Sequence, residues 1–166
     1  MAKVGLIMGS KSDFDIVKEC INTLKAFAIE YDVIISSAHR TPEQTVEWAK
    51  SAKSRGCSAI IAFAGAAAHL AGVAASQTNL PVIAVPIAST ALGGLDSLLS
   101  SVQMPGGIPV ATMAIGKAGA KNAALYACQI IAVTDTELYN KLDKYRETMA
   151  NTIAKDNELL KDALGQ

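Results

Sequence analysis

Neither sign of charge is in excess in this chain. Lys and Arg number 15, Asp and Glu 15, and charged residues make up 18% of the total. No basic field invites nucleic acid, and no charged tail invites a membrane surface. Aromatic residues are scarce, at 5%, which leaves no platform for stacking bases. Cysteines are few and unpaired by spacing: Cys20, Cys57 and Cys128 are odd in number, far apart and without a Cys-x-x-Cys pattern. They read as small buried hydrophobes in a reducing compartment, with a reactive thiol as the lesser alternative. The two histidines, His39 and His69, have no carboxylate or cysteine at metal-ligand spacing, so no metal site is expected. The apolar stretches are rich in Ala and Gly and broken by polar residues, so no transmembrane helix is expected. The N-terminus enters a strand at once, so no signal peptide is expected either. Linkers, fixed-period repeats and low-complexity blocks are also missing.

What is present is apolar surface. Hydrophobic residues make up 51% of the 166. One domain of that length buries a real core, and so apolar a composition points to further burial against copies of itself. The apolar runs alternate with helical patterns. Lys3–Met8 reads as a buried strand. After the turn Gly9–Asp13, residues Ile16, Val17, Cys20, Ile21, Leu24 and Phe27 recur at helical spacing. Tyr31–Ser36 is a second strand. A helix follows from Pro42 to about Arg55, with Thr41 as N-cap, Gln44 as its capping-box partner and Gly56 as the terminating residue.

Ser58–Ala64 is a third strand, opening into a small-residue helix that ends near Thr78. Pro81–Pro86 is a fourth, with proline at its ends. Leu92–Ser101 reads as a short helix, Gln103–Pro109 as a loop, Val110–Ile115 as a fifth strand, and about Lys121–Ala132 as a helix. Five βα units imply a three-layer αβα fold: a parallel sheet with helices on both faces and right-handed crossovers. The flavodoxin-like order 2-1-3-4-5 is favoured over a closed barrel, which needs about eight such units. The tail differs. Asp135 caps a helix reaching about Leu164, with a narrow stripe of Leu138, Leu142, Tyr145, Met149 and Ile153, continued by Leu160 and Leu164. Residues 1–134 thus read as the flavodoxin-like part of a single domain. Residues 135–166 form an extension expected to pack on a neighbouring subunit; the alternative is a helix lying across its own sheet.

The stretch Ser37-Ala-His-Arg-Thr-Pro42 places His39 where a strand hands over to a helix, the edge at which parallel sheets bind ligands. An imidazole there can give or take a proton near neutrality. Arg40 beside a helix N-terminus favours an anion. Gly9-Ser-Lys-Ser-Asp13 offers backbone N–H groups and the hydroxyls of Ser10 and Ser12 to a phosphate. The plainer reading is that Ser12 or Asp13 caps the helix. Asp13 repels phosphate and suits ribose hydroxyls better. His69 sits among small residues after the third strand, either shaping the pocket or acting directly. Gly65–Gly72 and Gly116–Gly119 allow close approach of a ligand or close packing of helix on sheet. Lys117 is a second anion contact or a solvated lysine, and Met104–Gly107 a flexible rim.

Seven segments now stand in order: Gly9-Ser-Lys-Ser-Asp13, Ser37-Ala-His-Arg-Thr-Pro42, Ala67-Ala-His-Leu70, Leu95-Asp-Ser-Leu98, Val102-Gln-Met-Pro105, Gly107-Ile-Pro-Val110 and Ala114-Ile-Gly-Lys-Ala-Gly119. Together they resemble the class I N5-carboxyaminoimidazole ribonucleotide mutases of purine biosynthesis, strongly over residues 3 to 134. The resemblance implies a flavodoxin-like cytoplasmic enzyme, a homo-octamer with C-terminal helices reaching across subunits. It implies transfer of a carboxylate from the exocyclic nitrogen to ring carbon C4 of a nucleotide, through CO2, without cofactor or metal. It also implies His39 as general acid/base, and Ser10, Ser12, Asp13, Ser37, Arg40, Gly65, Ala68, His69 and Leu70 as substrate-binding residues. Within that set Ser10, Ser12 and Arg40 hold the 5′-phosphate and Asp13 the ribose. Three departures stand out: Ala66 and Ala71 replace the family's usual Gly and Pro, and Gly106 stands where Arg is commoner. The related class II enzymes carboxylate aminoimidazole ribonucleotide directly with CO2. They usually carry Lys at the Arg40 position and lack the motif around His69. A non-catalytic nucleotide- or flavin-binding module is the alternative from another functional class.

Overall fold

A computed structural model describes residues 2–165; the expected ends of the two segments, Met1 and Gln166, lie outside the described residues. The chain divides into two compact units after Ile130. In the first, five parallel strands lie in the order 2-1-3-4-5, as the alternation of runs predicts. They are β1 (Lys3–Met8), β2 (Glu30–Ile35), β3 (Cys57–Gly65), β4 (Val82–Ile87) and β5 (Ala111–Thr112). The helices that follow each strand in turn are α1 (Phe14–Ala26), α2 (Pro42–Ser51), α3 (Leu70–Ala75), α4 (Leu95–Val102) and α5 (Lys117–Ala132). Short strands with covered faces explain the near-continuous apolar runs. Val4, Leu6 and Ile7 of β1 and Ile60, Ile61 and Phe63 of β3 are fully buried. Ile60 and Ala62 join Trp48 and Ala49 of α2 and Leu70 and Ala74 of α3 in one apolar cluster. By the two-residue period of a strand, Ile61 and Phe63 point the other way.

Several boundaries shift from expectation. The fifth strand is two residues long rather than six. It lies at the sheet edge, and beyond Thr112 the chain holds on through Met113 N–H to Ala84 O and Gly116 N–H to Pro86 O, both 2.9 Å. β4 runs past Pro86 to Ile87. Thr41 sits at the N-cap position of α2 but makes no side-chain cap. Its hydroxyl turns back instead, accepting from Ser37 N–H at 2.9 Å. Nor does Asp13 cap α1; Ser10 caps the 3-10 turn Lys11–Asp13 ahead of it, accepting from Ser12 N–H.

α4 is inside out. Its serines face inward, with Ser97 and Ser101 buried. Leu92 just before it, and Leu95, Leu99 and Val102 on it, are exposed at 65, 53, 47 and 48%. Polar-in, apolar-out is the reverse of an ordinary surface helix.

The second unit is chiefly α6 (Thr136–Leu164). Asp135 caps it as expected, accepting from Leu138 N–H at 2.9 Å. Its 29 residues extend roughly 44 Å at the usual rise. Leu138 and Leu142 are buried, whereas Met149, Ile153, Leu160 and Leu164 are exposed. Among the described residues no helix is long and apolar enough to cross a membrane.

Candidate active site

The strand order puts the reversal of chain direction between β1 and β3, and the crevice outside the carboxyl ends of strands at such a point is where ligands bind. A cavity of about 320 Å3 opens there, at the small end of the range for ligand pockets. The turns after β1, β2 and β3 line most of it, with Gly9, Ser10, Ser12, Asp13, Ser37, His39, Arg40, Gly65, His69 and Leu70 among the lining residues. Every sequence-predicted site residue but one is therefore gathered at one edge. The exception is Ala68, which is 1% exposed and gives its N–H to Ser100 Oγ at 2.9 Å. Sequence reasoning missed Ser89, which lines the cavity from the turn after β4. A serine just past the carboxyl end of a strand was the available signal. Ser89 packs so tightly on Gly65 that a Cβ at Gly65 would overlap its hydroxyl. That close approach is why the strand ends in glycine.

The first turn is a hydroxyl cluster. Ser12 Oγ lies 2.9 Å from Ser10 Oγ and 3.3 Å from Asp13 Oδ1. Arg40 reaches across from the second turn, donating from Nη2 to Gly9 O at 2.9 Å, and its Nε stands 3.4 Å from Ser37 Oγ. The guanidinium thus lies beside the serines, at the anion-favouring start of a helical segment. Burial raises the pKa of Asp13. Hydrogen bonds from Ser12 and at Ser10, and the nearby Arg40 charge, pull the other way without cancelling it.

The second turn is braced from beneath. The buried Ser36 hydroxyl bonds Thr45 Oγ1 at 2.8 Å and Thr41 Oγ1 at 3.1 Å, while Thr41 N–H bonds Ser37 O at 2.8 Å. Above this brace His39 meets His69. His39 Nε2 and His69 Nδ1 are 2.9 Å apart, with the rings edge to face at 88°. One nitrogen of this pair donates and the other accepts, so the tautomer of each ring depends on the other. Both rings are exposed to the cavity side of the molecule. A shared proton between two imidazoles, beside a hydroxyl-and-guanidinium anchor, can bind a phosphorylated ligand and move a proton on it. Among the described residues no three of His, Cys, Asp and Glu converge as a metal-binding group.

A larger groove of about 1100 Å3 lies at the amino ends of β4 and β5, around Pro81, Val82 and Ala111. Its titratable side chains are Lys50, Lys53 and Tyr126, with no imidazole or carboxylate among them, so it has no group that titrates near neutrality when unperturbed.

Fold and site together define a flavodoxin-like α/β protein with a phosphate-type anchor and an imidazole pair at the switch point of its sheet. A family model described as AIR carboxylase matches residues 3–152. The N5-carboxyaminoimidazole ribonucleotide mutase of Saccharolobus solfataricus is 55% identical over 153 residues, covering 92% of this chain and 96% of that protein. The one from Bacillus subtilis is 51% identical over 157 residues, covering 95% and 97%. The crystal structure of Treponema denticola PurE superposes with a TM-score of 0.88 at 34% identity, covering 97% and 99%. The chain belongs to the AIR carboxylase family.

Proposed function

We propose that this protein converts N5-carboxyaminoimidazole ribonucleotide to 4-carboxy-5-aminoimidazole ribonucleotide in purine biosynthesis, with His39 as the general acid/base. The observation that carries the reading is the His39–His69 pair, 2.9 Å apart, in the same cavity as Ser10, Ser12 and Arg40. In this scheme Ser10, Ser12 and Arg40 hold the 5′-phosphate, and Asp13 accepts hydrogen bonds from the ribose. The exocyclic N–C bond breaks, CO2 departs, and the nitrogen keeps the electron pair and takes a proton from His39. Ring carbon C4 then attacks the retained CO2, and the C4 proton returns to His39. The proton count closes on one imidazole, so no metal or organic cofactor is required. Holding CO2 beside C4 keeps the second step intramolecular, where proximity is worth most. Small residues at Ala64, Gly65 and Ala67 on the cavity wall leave room for it.

The working form in this reading is a cytoplasmic homo-octamer, with neither nucleic acid nor membrane as partner. The outward leucines of α4 and the exposed stripe of α6 are its contact surfaces.

The purified protein is to be supplied with N5-carboxyaminoimidazole ribonucleotide, or with aminoimidazole ribonucleotide plus bicarbonate, while the C4-carboxylated product is followed. Fast turnover of the first and slow turnover of the second is expected. The reverse order would identify a direct carboxylase, and binding without turnover a non-catalytic module. His39→Asn is expected to keep the native melting temperature and lose at least about 10²-fold in turnover, the usual contribution of a positioned acid/base. Unchanged turnover would remove His39 from the mechanism.

A further inference from the structure

The turn that carries His69 is held by a helix no part of which lines the cavity. Ala68, the residue before His69, has both peptide groups gripped by adjacent serines of α4. Its N–H donates to Ser100 Oγ at 2.9 Å, and its carbonyl accepts from Ser101 Oγ at 3.3 Å. Ser100 sends its own proton back along the helix to Asp96 O at 2.8 Å, which leaves its lone pairs facing Ala68. A back-bond of that kind is ordinary for a helical serine. A side-chain hold on both peptide groups of one residue, from more than thirty positions away in sequence, is not needed by the helix itself. Ser101 is 3% exposed and Ala68 1%, so water does not replace the bond between them. Two residues before Ala68, Ala66 sits at φ +53°, a conformation that non-glycine residues keep only where their surroundings hold it. Beyond α4, Met104 presses on α3, with its Sδ 3.1 Å from where a Cβ on Gly72 would stand.

We propose that Ser100 and Ser101 are positioning residues for proton transfer. They lock the Ala68 peptide, which sets His69 within hydrogen-bonding range of His39 and so selects the tautomer that His39 presents to the ligand. The proposal rests on the reading of His39 as acid/base. The inward serines of α4 then have a purpose that helix stability does not supply, since serine is a mediocre helix former.

Ser100→Ala, Ser101→Ala and the double variant separate this from a purely structural role. The expected result is a fall in kcat of about ten-fold or more for the double variant, a KM within about two-fold of the native value, and partial recovery in Ser100→Thr. The phosphate anchor is untouched, so binding is spared, and a displaced imidazole acts on the chemical step. Nitrogen-15 NMR of the imidazoles supplies the second readout, in which the His39 and His69 ring signals shift in the alanine variants and return in Ser100→Thr. An unchanged kcat per folded molecule with unchanged ring signals overturns the proposal, even if the melting temperature falls. If the native protein turns over neither substrate, the acid/base reading fails, and the ring signals alone still decide whether the serines set the imidazole pair. If the double variant does not fold, Ser100→Ala against Ser100→Thr carries the comparison.

Discussion

Ala28 and Ala66 are the described non-glycine residues held at positive φ, 58° and 53°. Ala28 closes α1 in a Schellman arrangement: Ile29 N–H bonds Leu24 O at 2.9 Å, and Ala28 N–H bonds Lys25 O at 3.0 Å. Glycine is the usual residue at that position. For an L residue the left-handed conformation costs about 1–2 kcal/mol, partly offset by the lower unfolded-state entropy of alanine. Ala28→Gly and Ala66→Gly are each expected to gain about 0.5–1 kcal/mol in denaturant melts; a loss at either site would mean that the methyl itself is needed.

Asp13 provides a pH test at the same scale. Its pKa is raised by burial, so the folded state favours the protonated acid. The stability it contributes is full below the ordinary carboxylate range and is lost as pH rises through the raised value. Asp13→Asn cannot ionise. It should melt higher than the native protein at neutral pH, with the advantage shrinking as pH falls below the carboxylate range. Paired thermal melts across that range check this, and an advantage that grows toward acid contradicts it. The cysteines behave as the sequence suggests. All three are buried and free, and burial raises their thiol pKa values, Cys128 to about 11.

At the scale of the element, α4 carries the most information. One face of its sequence, LDSLLSSV, binds the loop of His69, and the other leaves Leu95 and Leu99 half exposed. In the proposed assembly these large apolar residues, in register on an outward face, are a contact with another chain. Leu95→Glu combined with Leu99→Glu should leave the helix content unchanged and shift the protein to a smaller assembly in sedimentation or light scattering. An unaltered mass would place the contact elsewhere. The position of α4 was legible within a few residues because Leu, Asp and Ser recur in a short helical pattern. Which side faces in was not, because periodicity alone puts the leucines inside. Likewise β5 reads as a six-residue strand from Val110–Ile115, and the sheet edge, with a partner on one side only, pairs it along Ala111–Thr112.

For the whole molecule, the sequence by itself determined the five βα units, the strand order that short right-handed crossovers permit, and the grouping of the turns after β1, β2 and β3 at one edge. These follow from apolar runs and turn residues, which are local, and from chirality, which is general. The tertiary structure alone decided that His39 and His69, thirty residues apart, share a hydrogen bond. It also decided that Ala68 is turned into the fold and that Ser89 enters the cavity. Those outcomes depend on side-chain directions at a few tenths of an ångström, set when helices pack on the sheet. No spacing along the chain encodes that packing.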